Sequence, residues 1–318
     1  MNDIENIQLS AVKLEDNTYR ITTKAKVDDL AASIQQIGLI HPPLIKQTAS
    51  AGYVIVSGFR RIAACMYLGW KEIPTRVLDA DIDDARCVSY AIADNALQRP
   101  LNLIEISRSI ALLSTVITDD DALAETASKL GLPADPGLNR KIKKICDLAT
   151  PIQDGILANT ISLAMALELA KFDANIGVAF AKIFAQLKIG LNKQRELIVL
   201  LDEIAHRENT TIENLLNEKD IRQILDDDNL DRAQQRQRIR EYLTQRRFPT
   251  ISRTQHEFKK QIKNLELDHR MALVPPKDFE GSSYTLRLSF SGVSELEELQ
   301  GKLDRIIQSK GLAKFLSK

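Results

Sequence analysis

Along the N-terminal part of the chain, apolar positions switch repeatedly between period two, the mark of a half-buried strand, and a helical period of about 3.6. Ile7 to Val12 alternates and predicts a first strand. Leu30, Ile34 and Ile37 line one face of a helix predicted over Val27–Ile37, and Gly38 stops it. Pro42-Pro43 precedes a short strand, Leu44–Lys46, which the prolines assign to a sheet edge. Val54-Ile55-Val56 predicts a buried strand, Ser57-Gly58 breaks it, and Phe59–Leu68 returns to helical spacing until Gly69. Ile73–Leu78 reads as a further strand and Asp83–Asn95 as a further helix.

Beyond this point the strand signal disappears. Helical spacing recurs in Ile104–Ile117, Leu123–Leu130, Asn139–Leu148, Ile152–Leu157, Ser162–Lys171, Val178–Leu187, Lys193–Arg207 and Lys219–Leu225. Within it, Ala127–Gly131, a turn with Pro133 and Pro136, and then Asn139–Leu148 have helix-turn-helix character. Arg140, Lys141, Lys143 and Lys144 surround Ile142 and Ile145, as DNA-contacting residues or as an ordinary solvated face. Asp226-Asp227-Asp228 marks a boundary, after which Arg232–Lys263 carries ten Lys/Arg against two Asp/Glu. That stripe suits either phosphate contact or a solvated connector helix. Two strand-like runs, Met271–Val274 and Tyr284–Phe290, and a helix over Ser294–Ser309 close the chain. The helix has a stripe of Leu296, Leu299, Leu303, Ile306 and Ile307, and so small a unit is expected to dock or dimerise.

The fold class is therefore α+β. A small α/β domain over 1–103 precedes an all-helical domain over 104–228, a basic helical connector over 229–265 and a β–β–α unit over 266–318.

Composition narrows the function classes. The 318 residues carry 43 Lys/Arg and 43 Asp/Glu, so any nucleic-acid surface is local. Cys65, Cys87 and Cys146 are far apart and odd in number, against a disulfide framework or a zinc site. No secretory signal and no membrane-spanning run is read, which predicts a cytoplasmic protein. The candidate chemistry sits at the central strand–turn–helix. A helix start offers unpaired N–H groups, Gly58 allows close approach, and Arg60 and Arg61 add donors suited to phosphate oxygens. The alternative is a turn with two solvated arginines.

Four segments together resemble the ParB family of DNA-partition proteins. They are L-A-A-S-I-Q-Q-I-G-L-I-H-P-P-L-I (Leu30–Ile45), Y-V-I-V-S-G-F-R-R-I-A-A (Tyr53–Ala64), the I-P-T-R-V strand, and D-N-A-L-Q-R-P-L-N-L-I-E (Asp94–Glu105). A-S-K-L-G and L-A-N-T-I-S-L-A-M-A-L-E-L (Leu157–Leu169) extend the resemblance into the helical middle. It implies a dimeric, nucleoid-associated DNA clamp that binds CTP with Mg²⁺ and acts with a ParA-type ATPase. By the resemblance, Ser57, Gly58, Arg60 and Arg61 would hold the triphosphate, Asn95 would face Mg²⁺, and Asp94 would be the catalytic candidate. Arg140, Lys141, Lys143 and Lys144 would contact DNA, and Glu105 would support the site or start a helix.

The departures are specific. Where the family reads G-E-R-R-x-R-A, this chain has Phe59 for the glutamate and Ala63 for the third arginine. Where it reads E-N-x-x-R, the chain has Asp94 and Gln98, with Arg99 one residue later. Such losses impair hydrolysis more than binding, because catalysis needs a group within reach of the attacking water. Two other readings compete: a ParB-fold phosphotransferase or nuclease, and a DNA-binding regulator with a decayed nucleotide site.

Overall fold

The computed structural model describes residues 4–24, 26–49, 52–265, 267–279, 281 and 283–308. The chain divides into two compact units, Met1–Leu191 and Asn192–Lys318.

The first unit begins with a sheet built from β1 (Ile4–Gln8), β2 (Leu44–Thr48), β3 (Gly52–Ser57) and β4 (Glu72–Leu78), in the order β1-β4-β2-β3. β1 runs antiparallel to β4, β2 antiparallel to β3, and β2 parallel to β4. Helices α1 (Asp28–Ile37) and α2 (Phe59–Tyr67) bring Ala31, Ile34, Ile62 and Cys65 onto Ile7, Ile45, Ile55 and Ile73. Each of these residues is under 9% exposed, so this is the core of the sheet domain. Val56 is fully buried too, next to Ile55 on a strand whose side chains alternate. Helix α3 (Asp84–Ala96) packs against β3, buries Cys87, Val88, Ala91 and Ile92, and accounts for the second covered face. Covering on both faces explains why the strand reads as an unbroken apolar run.

Five helices and a hub complete this unit. The hub is α4 (Leu103–Leu113), on which α3, α5 (Asp120–Lys129), α6 (Pro136–Lys143) and α7 (Thr150–Leu157) pack. Asn102 and Glu105 form a capping box at its start. The buried Ser107 hydroxyl donates to the Ile142 carbonyl at 2.6 Å and accepts from the Cys146 N–H at 2.9 Å, tying α4 to the end of α6. α8 (Leu163–Leu169) and α9 (Ala174–Leu187) follow, with the Phe180 ring tilted against Phe172 and stacked on Phe184.

The second unit contains α10 (Leu191–Glu208), α11 (Ile212–Leu216), α12 (Lys219–Leu225), α13 (Arg232–Arg247) and α14 (Pro249–Asn264). It ends with β5 (Met271–Val274), β6 (Thr285–Leu288) and α15 (Val293–Ile307). β5 and β6 are antiparallel, and Met271 and Leu299 form a small core with Leu265, Leu267, Leu288 and Leu303 around it.

Several sequence expectations need correction. The first strand stops at Gln8; Leu9–Ala11 is a 3₁₀ turn that keeps Leu9 and Val12 buried while the backbone leaves the ladder. The second helix of the expected helix-turn-helix starts at Pro136, not Asn139, and gives way to a 3₁₀ turn at Lys144. Pro136 is thus the first helical residue, where a missing N–H costs nothing. The basic stretch is two helices, because Phe248 before Pro249 is disfavoured from helical geometry. Helix α11 was not anticipated. The end of the expected Ser294–Ser309 helix and the side chain of Ile306 lie outside the described residues.

Candidate functional site

Gly58 is the N-cap of α2 at φ 92°, and no side chain caps the helix there. An added Cβ would lie 2.6 Å from Pro43 Cβ and 2.9 Å from Pro43 Cα. Both the left-handed backbone and the closeness of Pro43 therefore require glycine. The turn leaves Ser57 and Arg61 on one side, opposite the C-terminal end of α3.

There they meet Asp94. Arg61 Nη2 donates to Asp94 Oδ2 at 2.6 Å, and the Ser57 hydroxyl donates to the same oxygen. Gln98 Nε2 donates to Asp94 Oδ1 at 3.0 Å. Arg61 Nη1 is also engaged, with the carbonyls of His41 at 2.9 Å and Pro42 at 3.2 Å. A cavity of 260 Å³ opens over these groups, lined by Ser57, Arg61, Asp94, Gln98, Arg76, Tyr90 and His41 among others. That is below the ~300–1,000 Å³ of an ordinary ligand pocket. It has room for the phosphates of a ligand, not for a whole nucleotide.

The sequence-predicted residues therefore separate. Ser57, Arg61 and Asp94 converge with Gly58 behind them. Arg60, one residue along the helix and so about 100° around it, points elsewhere: its Nη2 donates to the Lys26 carbonyl at 2.9 Å. Arg60 Nε is buried with no hydrogen-bond partner among the described residues, an orphan donor that would be satisfied by an acceptor from outside the chain. Asn95 turns back along α3, donating to the Ala91 carbonyl at 2.9 Å, and does not line the cavity. Among the described residues no group of three His, Cys, Asp or Glu could hold a metal ion.

Sequence reasoning missed His41, Arg76 and Tyr90. They come from the loop before β2, from β4 and from α3, and the parallel β2–β4 pairing together with the packing of α3 on β3 brings them to one cavity.

A second charged cluster has a structural role. Glu105 is fully buried and takes the Arg99 guanidinium in two bonds of 2.7 and 2.8 Å. The N–H groups of Thr23 and Asn102 also donate to it, at 3.1 and 3.2 Å. Burial pushes the Glu105 carboxyl upward, but Arg99 and these two N–H groups outweigh it and hold the group at about 2. Arg99 is thereby tied to the start of α4 and is not free to face a ligand.

The helix-turn-helix candidates lie on α6 and the turn that follows. Ile142 and Ile145 are buried, whereas Arg140, Lys141, Lys143 and Lys144 are exposed around the remaining arc. Arg140 is 3.5 Å from Asp120. A larger cavity of 680 Å³, between the 17–23 loop and helices α4 and α7, is lined by none of the predicted site residues. Its arginines donate to neutral oxygens, Arg20 to Asn17 and Arg108 to the Thr22 carbonyl.

Comparison with known proteins adds the following. Residues 1–96 match the model of the ParB N-terminal domain. A nucleoid occlusion protein of Bacillus cereus (strain B4264) is 32% identical over 105 residues, which is 32% of this chain and 36% of that protein. One from Bacillus anthracis (strain A0248) is 31% identical over 105 residues, again 32% of this chain and 36% of that protein. The chain thus spans about a third of the length of the curated relatives it matches. Among solved structures, Caulobacter crescentus ParB complexed with CTP-γ-S matches 58% of this chain and 99% of its own, at 21% identity and a TM-score of 0.28. The same protein complexed to the centromeric parS site matches 61% of this chain and 97% of its own, at 17% identity and a TM-score of 0.34.

Proposed function

We propose, on the match of residues 1–96 to the ParB N-terminal domain, that the chain is a DNA-binding protein of the partition or nucleoid-occlusion kind, with a clamp switched by CTP and Mg²⁺. The observation that carries this reading is the convergence of Ser57 and Arg61 at the Gly58 turn, beside an uncapped helix start. These are donors suited to phosphate oxygens. In this reading Ser57, Gly58, Arg60 and Arg61 hold the triphosphate, and Arg60 joins them only by leaving the Lys26 carbonyl. Asp94 or Asn95 contributes to a Mg²⁺ whose remaining ligands are phosphates and waters, and the ion neutralises charge on the phosphates. For Asn95 this needs a rotation away from Ala91.

Arg140, Lys141, Lys143 and Lys144 contact the DNA backbone, which positions the protein without reading sequence. The chain acts as a homodimer on the nucleoid, with a ParA-type ATPase as partner and the β–β–α unit as the dimerising element. Domain boundaries near 103/104, 228/229 and 265/266 belong to the same proposal. Hydrolysis is weak at best, with Asp94 as the catalytic candidate, since Phe59 and Ala63 supply neither a carboxylate nor a third guanidinium.

The test is retention of the protein on closed circular DNA after a salt wash, with and without CTP. Retention that needs CTP and is lost on linearising the DNA supports the clamp. Equal retention with and without CTP contradicts it. The occupied state of Arg61 favours one second reading, a DNA-binding regulator with a decayed nucleotide site, which predicts DNA binding indifferent to any nucleotide.

A further inference from the structure

The second unit sorts its cations into two groups. On α13, Arg238 lies 3.9 Å from Asp227, Arg240 2.6 Å from Glu196 and Arg247 2.7 Å from Glu203, while Arg246 is clasped by Glu208 and Glu218. In the C-terminal part, Arg270 and Lys302 both close on Asp268, at 3.0 and 2.6 Å. These cations hold the unit together. On α14, by contrast, Arg253, Lys259, Lys260 and Lys263 are all exposed, and none has a carboxylate partner among the described residues.

The arrangement on α14 is one-sided. At about 100° per residue, Arg253, His256, Lys260 and Lys263 fall within an arc of roughly 80°, and Lys259 lies just outside it. The opposite arc carries Ile251, Phe258 and Ile262; Phe258 is buried, its ring 5.6 Å from Phe279 and 6.0 Å from Tyr284. The apolar face is thus spoken for within the unit. The cationic face is turned away from it, and like charges three, four and seven residues apart repel along it.

We propose that this face of α14 binds the phosphate backbone of double-stranded DNA, as a contact separate from α6. It rests on the reading of the chain as a DNA-binding protein and gives that protein a second, sequence-indifferent surface. Arg253 to Lys263 spans about 15 Å of helix axis. Duplex DNA carries one charge per ~1.7 Å of its own axis, so several phosphates fall within that reach. Single-stranded nucleic acid fits less well, because its binding relies on exposed aromatic platforms. The one phenylalanine of α14 is buried, and no tyrosine or tryptophan lies on the helix.

The test uses the full chain and a fluorescent duplex of arbitrary sequence, with affinity measured across ~50–200 mM salt. Lys259, Lys260 and Lys263 are changed together, to alanine in one variant and to arginine in another, and Arg140 and Lys141 are changed to alanine in a third. Loss of three phosphate contacts lowers the slope of log K against log salt by about 2–3. The triple-alanine variant is expected to show that loss with an unchanged thermal melt, and the triple-arginine variant to restore the slope. A wild-type slope in the triple-alanine variant overturns the α14 contact while leaving DNA binding by α6 intact. Tighter binding of single-stranded than of duplex probe also overturns it. If the wild-type chain binds no duplex, the DNA-binding reading falls, and this surface with it.

Discussion

The Asp94 carboxylate sits 2.6 Å from Arg61 and accepts the Ser57 hydroxyl on the same oxygen. The two donors best placed for a phosphate are therefore already satisfied by a side chain of the protein. A phosphate entering the 260 Å³ cavity has to take Arg61 and Ser57 from Asp94. Asp94→Asn keeps the shape and removes the competing charge. A charge-assisted hydrogen bond contributes ~1.5–3 kcal/mol, so this variant should bind CTP about tenfold more tightly when magnesium is left out. Calorimetry in EDTA checks it; equal or weaker binding by the variant would show that Asp94 does not compete with phosphate.

Gly58→Ala tests the turn itself. The residue has φ 92° and its new Cβ would press on Pro43 at 2.6 Å, with backbone at 2.9 Å behind it. Neither strain can be relieved by rotating a side chain. A loss of ~1–3 kcal/mol in stability is expected, read as a lower melting temperature, together with loss of any nucleotide binding. A melt within a degree or so of wild type would contradict the geometry.

Glu105 links stability to pH. Its folded pKa, about 2, lies below its ordinary value of 4.5, so its stabilisation is present above the ordinary value and is lost as pH falls toward 2. The difference corresponds to about 3 kcal/mol. Glu105→Gln should be less stable than wild type by that order at pH 7 in denaturant titrations, and the gap should shrink through pH 4–3 and close only as pH falls through about 2. A gap independent of pH would mean that the loss comes from packing and not from charge.

Arg246→Ala separates structure from binding on the connector. Arg246 bridges Glu208 and Glu218 and is pushed well above its ordinary range, chiefly by hydrogen bonds to those two carboxylates. The pair is partly solvated, so the expected cost is about 1 kcal/mol. It should appear in the melt of the second unit, with no change in the salt dependence of DNA binding. A change in that dependence would assign Arg246 to the DNA surface.

Much of the local architecture was legible in the chain. The helix predicted over Phe59–Leu68 is found at Phe59–Tyr67, because strand run, glycine and helical spacing all agree there. The strand predicted over Ile7–Val12 failed for a physical reason: burial of Leu9 and Val12 survives in a turn as well as in a strand, so alternation alone does not separate them. The divergence of Arg60 and Arg61 was available from helix geometry, since adjacent residues face directions about 100° apart. The break at Pro249 was available from its proline. What the sequence withheld was long-range. Nothing local shows that Asp94 reaches Arg61 across 33 positions, or that His41, Arg76 and Tyr90 share their cavity. Nor does a count of charges reveal that Arg238, Arg240, Arg246 and Arg247 of α13 are paired with carboxylates while, among the described residues, the cations of α14 are not.

The central claim is that the Gly58 turn with Arg61 receives a nucleotide triphosphate. Calorimetric titration of CTP, with ATP as control, into the wild-type chain and an Arg61→Ala variant in the presence of Mg²⁺ tests it most directly. The account predicts CTP-selective binding by the wild type and its loss in a variant that is folded and still binds DNA. Undiminished CTP binding by Arg61→Ala, or no binding of either nucleotide by the wild type, would contradict it.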